Sequence, residues 1–381
     1  MTTVATAYAE VRPSGPQLLV DPAAIGANTR LLAERAAGDL MAVVKADGFG
    51  HGADLVARAA LANGASSLGV TSIAEGLALR TADLRAPMLS WLNPIDADFR
   101  AAVAAGIDLA VPSMAHLEAV LRTGRGARVH LHLDTGLARD GAEPTAWARL
   151  CHAARNAERA GLLKVVGVMG HLARADEPAD PANVTGRTRF ASGLRTARTA
   201  GLRPALRHLA ATAATLTDPG SHHTLVRVGA GLVGIDPSGS TALRWAMTLT
   251  APVVSVRRVR AGTAVGYGHT WSAPCATTLA LLPLGYADGL PRAASGRAEV
   301  LLRGRRHPVV GRISMDQVVV DVGDEPVLPG ETATLLGPGD RGEPTPAEWA
   351  EWAGTLPHEV VTGIGPRVAR RVAGTFLRGG R

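Results

Sequence analysis

The stretch 40-LMAVVKADGFGHGA-53 puts a lysine at the end of an apolar run and follows it with glycines, a phenylalanine and a histidine. Of the 40 basic residues in the 381-residue chain, only Lys45 and Lys164 are lysines. The composition uses arginine wherever charge alone matters. A retained lysine is therefore informative, because arginine is not deprotonated in proteins and does not form an imine. The run 40-LMAVVKA-46 reads as a buried strand, and parallel α/β barrels present their reactive groups at strand C-termini.

Working outward from that strand, short apolar runs alternate with Ala/Leu/Arg stretches at helical spacing from residue 17 to about 235, the pattern of repeated βα units. The candidates are 17-QLLVD-21, 40-LMAVVKA-46, 67-SLGVTS-72, 87-PMLSWL-92, 108-DLAVPS-113, 128-RVHLHLD-134, 165-VVGVMGH-171, 206-LRHLAAT-212 and 225-LVRVG-229. Nine is one more than a closed eight-stranded barrel needs, which leaves room for the first to lie outside it. Between the first two, 22-PAAIGANTRLLAERA-36 predicts a helix with Asp21 as N-cap and Pro22 in the first turn. Lys45, Asp134, His171, Thr212 and Arg227 stand at or near strand ends, where a (β/α)8 barrel would gather them on one face. A doubly wound sheet is the alternative, and it would gather them less completely.

After about residue 240 the texture changes to short strands broken by Gly, Pro and Asp, as in 248-TLTAPVVSVRRV-259, 277-TTLALLPLGYA-287, 298-AEVLLRGRRHPVVGRISMDQVVVDVG-323 and 331-ETATLLG-337. One helix is signalled at 345-TPAEWAEWAG-354, where Thr345 and Glu348 form a capping box and Pro346 takes the first turn. The fold class is thus α/β plus all-β. We expect a TIM-like barrel over residues 17–240 and a strand-rich domain over 241–381, with residues 1–16 associating with the latter.

A hydrophobic content of 46% against 19% charged residues fits a folded chain throughout. The net charge of +7 comes from scattered arginines without aromatic interleaving, which reads as a solvated surface rather than a nucleic-acid site. Two isolated cysteines, Cys151 and Cys275, imply neither disulfides nor zinc. No apolar stretch approaches membrane-spanning length and no leader pattern opens the chain, so a cytoplasmic protein is expected.

Taken singly, several residues have ordinary readings. Lys45 suits a strand-end surface lysine, Arg227 a buried structural ion pair, His171 a core histidine satisfied by backbone, and Gly229 a turn. Tyr267, one of three tyrosines, suits a ring capping a turn between glycines.

Together with its neighbours, 43-VVKADGFGHG-52 resembles the cofactor-lysine signature of the alanine racemase family. The resemblance continues in order through 132-HLDTGLARDG-141, 170-GHLARADEP-178, 208-HLAATAATL-216, 226-VRVGAG-231, 265-VGYGHTW-271, 284-LGYADGLPR-292, 311-GRISMDQVVVD-321 and 358-HEVVTGIGPRV-368. It implies a homodimeric enzyme that binds pyridoxal 5'-phosphate on a barrel and racemises alanine with two bases. Lys45 would carry the cofactor and act on one face of the α-carbon, and Tyr267, from the other subunit, would act on the opposite face. By the same resemblance Arg227 would donate to the pyridine nitrogen, His171 would link Arg227 to Tyr267, and Thr212, Gly229 and Ala230 would hold the phosphate. Arg139 and Met315 would orient the substrate carboxylate, with Tyr286, Arg292 and Arg312 lining the way in.

Five positions depart from the family pattern. Phe49 stands at a cofactor-binding position usually held by Tyr, His132 where many members carry a carbamylated lysine, Val228 for a proline, Val233 for a tyrosine, and Pro366 for a tyrosine of some members. These changes keep open a diverged racemase of another amino acid or a weakened cofactor-binding homologue. A barrel decarboxylase needs a protonated pyridine, for which Arg227 is the wrong partner.

Overall fold

Asp21 opens the first helix, Pro22–Arg35, by accepting a hydrogen bond from Ala23 N at 2.8 Å, with Pro22 in the first turn. In this computed structural model, which describes residues 15–373, that helix begins the unit formed by residues 21–246.

The unit is built on eight strands: β2 (Asp39–Val43), β3 (Ala65–Val70), β4 (Met88–Ser90), β5 (Ile107–Val111), β6 (Ala127–His132), β7 (Leu163–Met169), β8 (Leu206–His208) and β9 (Leu225–Val228). They run parallel in the order β8-β7-β6-β5-β4-β3-β2-β9. Thr224 N donates to Arg207 O at 3.1 Å and Arg227 N to Ala210 O at 3.0 Å, which draws the two outer strands into a nearly closed barrel. Leu40 to Val43 are all buried, as expected of strands covered on both faces. Met41, Leu89, Ala110, Met169 and Leu225 pack together with Trp91 against them. Each fully buried Met or Leu side chain contributes about 1.5–3 kcal/mol. The expected barrel is present.

The other unit, described over residues 15–20 and 247–373, carries a nine-stranded sheet. Its first strand is β1 (Gln17–Val20); the rest of the unit adds β10 (Met247–Pro252), β11 (Ser255–Val259), β12 (Ala264–Val265), β13 (Trp271–Ser272), β14 (Thr277–Leu282), β15 (Glu299–Leu302), β16 (Arg305–Val310), β17 (Val318–Gly323), β18 (Thr332–Leu336) and β19 (Ala369–Val372). The sheet order is β11-β14-β17-β16-β15-β18-β10-β1-β19, with β12 and β13 forming a separate ribbon. The sequence reading began the barrel range at residue 17. In fact β1 pairs antiparallel with β10, Leu18 opposite Leu249, and parallel with β19. This strand is the extra ninth candidate, and its partners lie more than two hundred residues away in sequence. The expectation for residues 1–16 falls on positions 1–14, outside the described residues, apart from Gly15 and Pro16. Thr345 and Glu348 form the expected capping box on helix Pro346–Ala353. Among the described residues no helix is long and apolar enough to cross a membrane.

Candidate active site

Lys45 lies two residues beyond β2, on the side of the barrel where the strand C-termini emerge. The chain behind it makes a turn of left-handed backbone: Ala46, Asp47, Gly48, Phe49 and Gly50 have φ of 51, 52, 62, 57 and 79°. Left-handed geometry costs a residue with a Cβ about 1–2 kcal/mol, so three of these five positions are strained. The turn is pinned from several directions. Gly48 N donates to Val44 O, Gly50 N to Ala46 O and Gly52 N to Asp47 O, while Asp47 Oδ1 accepts from Ala53 N at 2.9 Å. Glu75 adds the decisive tie: its Oε1 accepts from Ala46 N at 2.8 Å, while Oε2 takes Thr71 N and the Thr71 hydroxyl. The strain is concentrated directly behind Lys45.

Burial, followed by the positive charge of Arg139, lowers the Lys45 amine from its ordinary value; Glu75 opposes the shift and Arg227 reinforces it. A larger neutral fraction is what a nucleophilic amine requires. Arg227, 5% exposed, projects from β9 into the same neighbourhood. Its Nη1 donates to His208 Nδ1 and His208 O, both at 2.9 Å, and its Nη2 donates to Gly170 O at 2.7 Å, His171 Nδ1 at 3.1 Å and Leu209 O at 3.3 Å. Burial pushes Arg227 down to about 10, which still leaves it a cation and a donor at neutral pH. An arginine can only donate, so His171 accepts at Nδ1 and carries its proton on Nε2. His171 keeps some solvent contact, yet desolvation and the Arg227 charge push it down to about 3, and it stays neutral.

The phosphate candidates form one wall. Thr212 opens helix Thr212–Thr217, and its hydroxyl oxygen accepts from Gly231 N at 3.2 Å. Gly229 and Ala230 follow directly on β9. A Cβ on Gly229 would lie 2.7 Å from the Phe49 ring and 3.2 Å from Val43 Cβ. The glycine is therefore needed for close approach, whatever else it does. Gly229→Ala is expected to destabilise the fold by about 1–3 kcal/mol through overpacking. An unchanged denaturant midpoint would show that the buried Phe49 ring can step aside.

Arg139 is exposed on the loop after β6, and its charge reaches Lys45. His132, at the end of β6, is buried with Nδ1 3.4 Å from Asp140 Oδ2. Burial alone would raise the Asp140 carboxyl, but His132, joined by the Gly141 backbone N–H and the His116 charge, outweighs it and holds the group below its ordinary value. The partner of His132 is thus the neighbour of Arg139 in sequence. Asp134 is committed to local structure: its Oδ1 accepts from the backbone N of Gly136, Leu137 and Ala138.

Tyr267, Tyr286 and Met315 belong to the strand-rich unit. Tyr267 sits in a short turn between Gly266 and Gly268, both at positive φ, and is 74% exposed. Tyr267 and Met315 line a shared surface cavity of about 460 Å³ with Ser314 and Asp316. The Tyr286 turn is sewn to this segment by Tyr286 N→Ser314 O and Ala287 N→Met315 O, both 3.0 Å. Gly285 must be bare, since a Cβ there would overlap Ser314 O and Met315 O.

Sequence reasoning missed Glu75, which reads as an ordinary capping-box residue because its bond to Ala46 spans 29 positions. It also missed that His208 is a direct ligand of Arg227.

With this geometry in hand, comparison with known proteins is specific. The chain matches the family model for the alanine racemase N-terminal domain over residues 20–237 and for the alanine racemase C-terminal domain over residues 246–372. An alanine racemase of Thermobifida fusca is 48% identical over 363 residues, covering 93% of this chain and 97% of that protein. The crystal structure of alanine racemase from D-cycloserine-producing Streptomyces lavendulae matches with a TM-score of 0.92 at 42% identity, covering 95% of this chain and 98% of that one. The Bartonella henselae alanine racemase, solved with covalently bound pyridoxal phosphate, matches with a TM-score of 0.85 at 26% identity, covering 94% of this chain and 100% of that one. Barrel, strand-rich unit and two matched domain families together place this chain in the alanine racemase family, whose members are pyridoxal-phosphate-dependent amino-acid racemases.

Proposed function

We propose that this chain interconverts L- and D-alanine as a cytoplasmic homodimer that carries pyridoxal 5'-phosphate. The observation that carries the reading is Lys45: a lysine with a depressed amine pKa at the mouth of a parallel barrel, fixed by a strained turn. The surrounding residues suit the cofactor. Lys45 supplies a primary amine for covalent attachment. Arg227 faces the same region with its four terminal N–H bonds committed to named acceptors, which leaves Nε–H as the donor outside that set for a ring nitrogen. Because Thr212 Oγ1 accepts from Gly231 N, its own hydrogen can be directed at a phosphate, beside the backbone of Gly229 and Ala230. Phe49 contributes a ring and no hydroxyl at the position it occupies.

When bound, pyridoxal phosphate supplies the electron withdrawal that allows the α-carbon to lose its proton. The chain's own residues do the rest. Arg139 attracts the substrate carboxylate, helped by the Met315 segment. Lys45 Nζ takes or returns a proton on one face of the α-carbon, and Tyr267 Oη does so on the other, because inversion requires acid/base groups on both faces. Arg227 stays a donor that gives up no proton, which disfavours extended charge delocalisation and favours quick reprotonation at the α-carbon. His171, neutral and accepting from Arg227, offers its Nε2–H onward. The exposure of Tyr267 (74%), Met315 (53%) and Tyr286 (42%) supports a second copy as the occupant of that face.

The buried His132–Asp140 pair, at the position of the carbamylated lysine, favours a second reading in which the preferred substrate is another amino acid. A panel of L-amino acids followed by chiral chromatography separates the two. Alanine is expected to turn over fastest, and faster turnover of any other amino acid would overturn the alanine assignment.

A further inference from the structure

The buried guanidinium of Arg227 has five acceptors, three backbone carbonyls and two imidazoles, and no carboxylate among them. A buried charge of this kind is costly unless some group answers it. One of the imidazoles leads to such a group. His208 Nε2 lies 2.8 Å from His130 Nδ1, and His130 Nε2 lies 3.4 Å from Asp108 Oδ2. Asp108 is held in turn by Arg128, Nε to Oδ1 at 2.7 Å and Nη2 to Oδ2 at 3.2 Å. His208, His130 and Asp108 are 0%, 1% and 6% exposed. The two rings meet edge to face, with centroids 5.0 Å apart. The neighbouring strand makes room for the chain, since a Cβ on Gly167 would overlap His130 Nδ1.

The direction of every bond follows from Arg227. It can only donate, so His208 accepts at Nδ1 and bears its proton on Nε2. That proton is given to His130 Nδ1, so His130 bears its proton on Nε2 and gives it to Asp108. Each donor points away from Arg227 and toward the carboxylate. We propose that Asp108, acting through His130 and His208, is a positioning residue for Arg227: its carboxylate accepts at the far end of the relay, so that both rings, and through them the guanidinium, are held in the arrangement whose direction Arg227 selects. Two pKa directions agree with this arrangement. Burial and then the Arg227 charge hold His208 far below its ordinary value, hence neutral. Burial would raise Asp108, but His130 and Arg128 outweigh it, hence anionic.

The inference rests on the proposed role of Arg227 beside the cofactor, but its test is separable from that role. The full-length chain, loaded with pyridoxal phosphate and labelled with ¹⁵N-histidine, reports tautomers directly, with signals assigned by their loss in His208→Gln and His130→Gln. In the parent protein both rings are expected to carry the proton on Nε2 with Nδ1 bare; a proton on Nδ1 of either ring overturns the proposal. In Asp108→Leu the His130 Nε2–H is left buried without its acceptor, so the His130 Nε2 signal is expected to move from its parental position while His208 keeps Nδ1 bare, with kcat for L-alanine down about tenfold and KM within about twofold. Asp108→Asn keeps an acceptor oxygen without the charge; it is expected to preserve the tautomers and lose part of kcat, and it serves if the leucine variant fails to fold. An unchanged His130 Nε2 signal together with unchanged kcat in a folded Asp108→Leu chain would also overturn the proposal. Failure of the racemase reading would appear instead as absent turnover in the parent chain.

Discussion

Lys45→Ala is expected to abolish racemisation, with a fall of about 10⁴-fold or more, because in the proposed function one side chain supplies both the covalent anchor and one of the two bases. Lys45→Arg should fare no better: the guanidinium keeps the charge but offers no deprotonatable amine. The fold should survive either change. The left-handed turn behind Lys45 is held by backbone bonds and by the Glu75 carboxylate, which the substitution leaves in place. Lys164→Ala provides the control, since the second lysine lies exposed near the start of β7, away from the strand C-termini. Steady-state rates with L-alanine, together with the absorption of bound cofactor, check the prediction. Retained activity in Lys45→Ala would remove the basis of the proposed function.

Tyr267→Phe is expected to lower racemisation by about 10²–10⁴-fold, the range for a lost general acid/base. Its turn is set by Gly266 and Gly268 and not by the hydroxyl, so the loss should be chemical rather than structural. The signature of this variant is asymmetry. Exchange of the α-hydrogen with solvent should persist for one enantiomer, whose proton faces Lys45, and fade for the other. If each site combines Lys45 of one subunit with Tyr267 of the next, mixing Lys45→Ala and Tyr267→Phe chains should restore activity. Random pairing makes half the dimers mixed, each with one sound site of two, so about a quarter of parental activity is expected. No recovery after demonstrated subunit exchange would count against shared sites.

The barrel was legible because its signals are local. Apolar runs at βα spacing mark the strands, and reactive residues stand at their ends. The retained lysine marks which end matters. The placement of β1 was legible only in part: a ninth candidate strand left room for it outside the barrel, but an apolar run such as Gln17–Val20 fits either sheet and its partner β10 lies more than two hundred residues away in sequence. The same limit applies within the site. Glycines at 48 and 50 hint at a turn after Lys45, but nothing in Ala46, Asp47 or Phe49 announces left-handed backbone, which the tertiary tie to Glu75 sustains. Asp108, His130 and His208 are separated by 22 and 78 positions and meet only when the strands close into a ring. Spacing arguments see one element at a time, whereas a relay through a barrel interior belongs to several. The departures at Phe49, His132 and Val233 were legible as departures, but their surroundings were not. Val233 proves to be buried in the turn Ala230–Val233, and His132 is paired with Asp140.

The central claim is that two groups on opposite faces of the α-carbon carry the reaction. It is tested most directly by following L-alanine in D₂O with the cofactor-loaded protein at early times, reading configuration and deuterium content together. The account predicts that the first D-alanine formed carries deuterium at the α-carbon while the remaining L-alanine keeps protium. D-alanine that retains the original hydrogen, or deuterated L-alanine accumulating ahead of D-alanine, would contradict it.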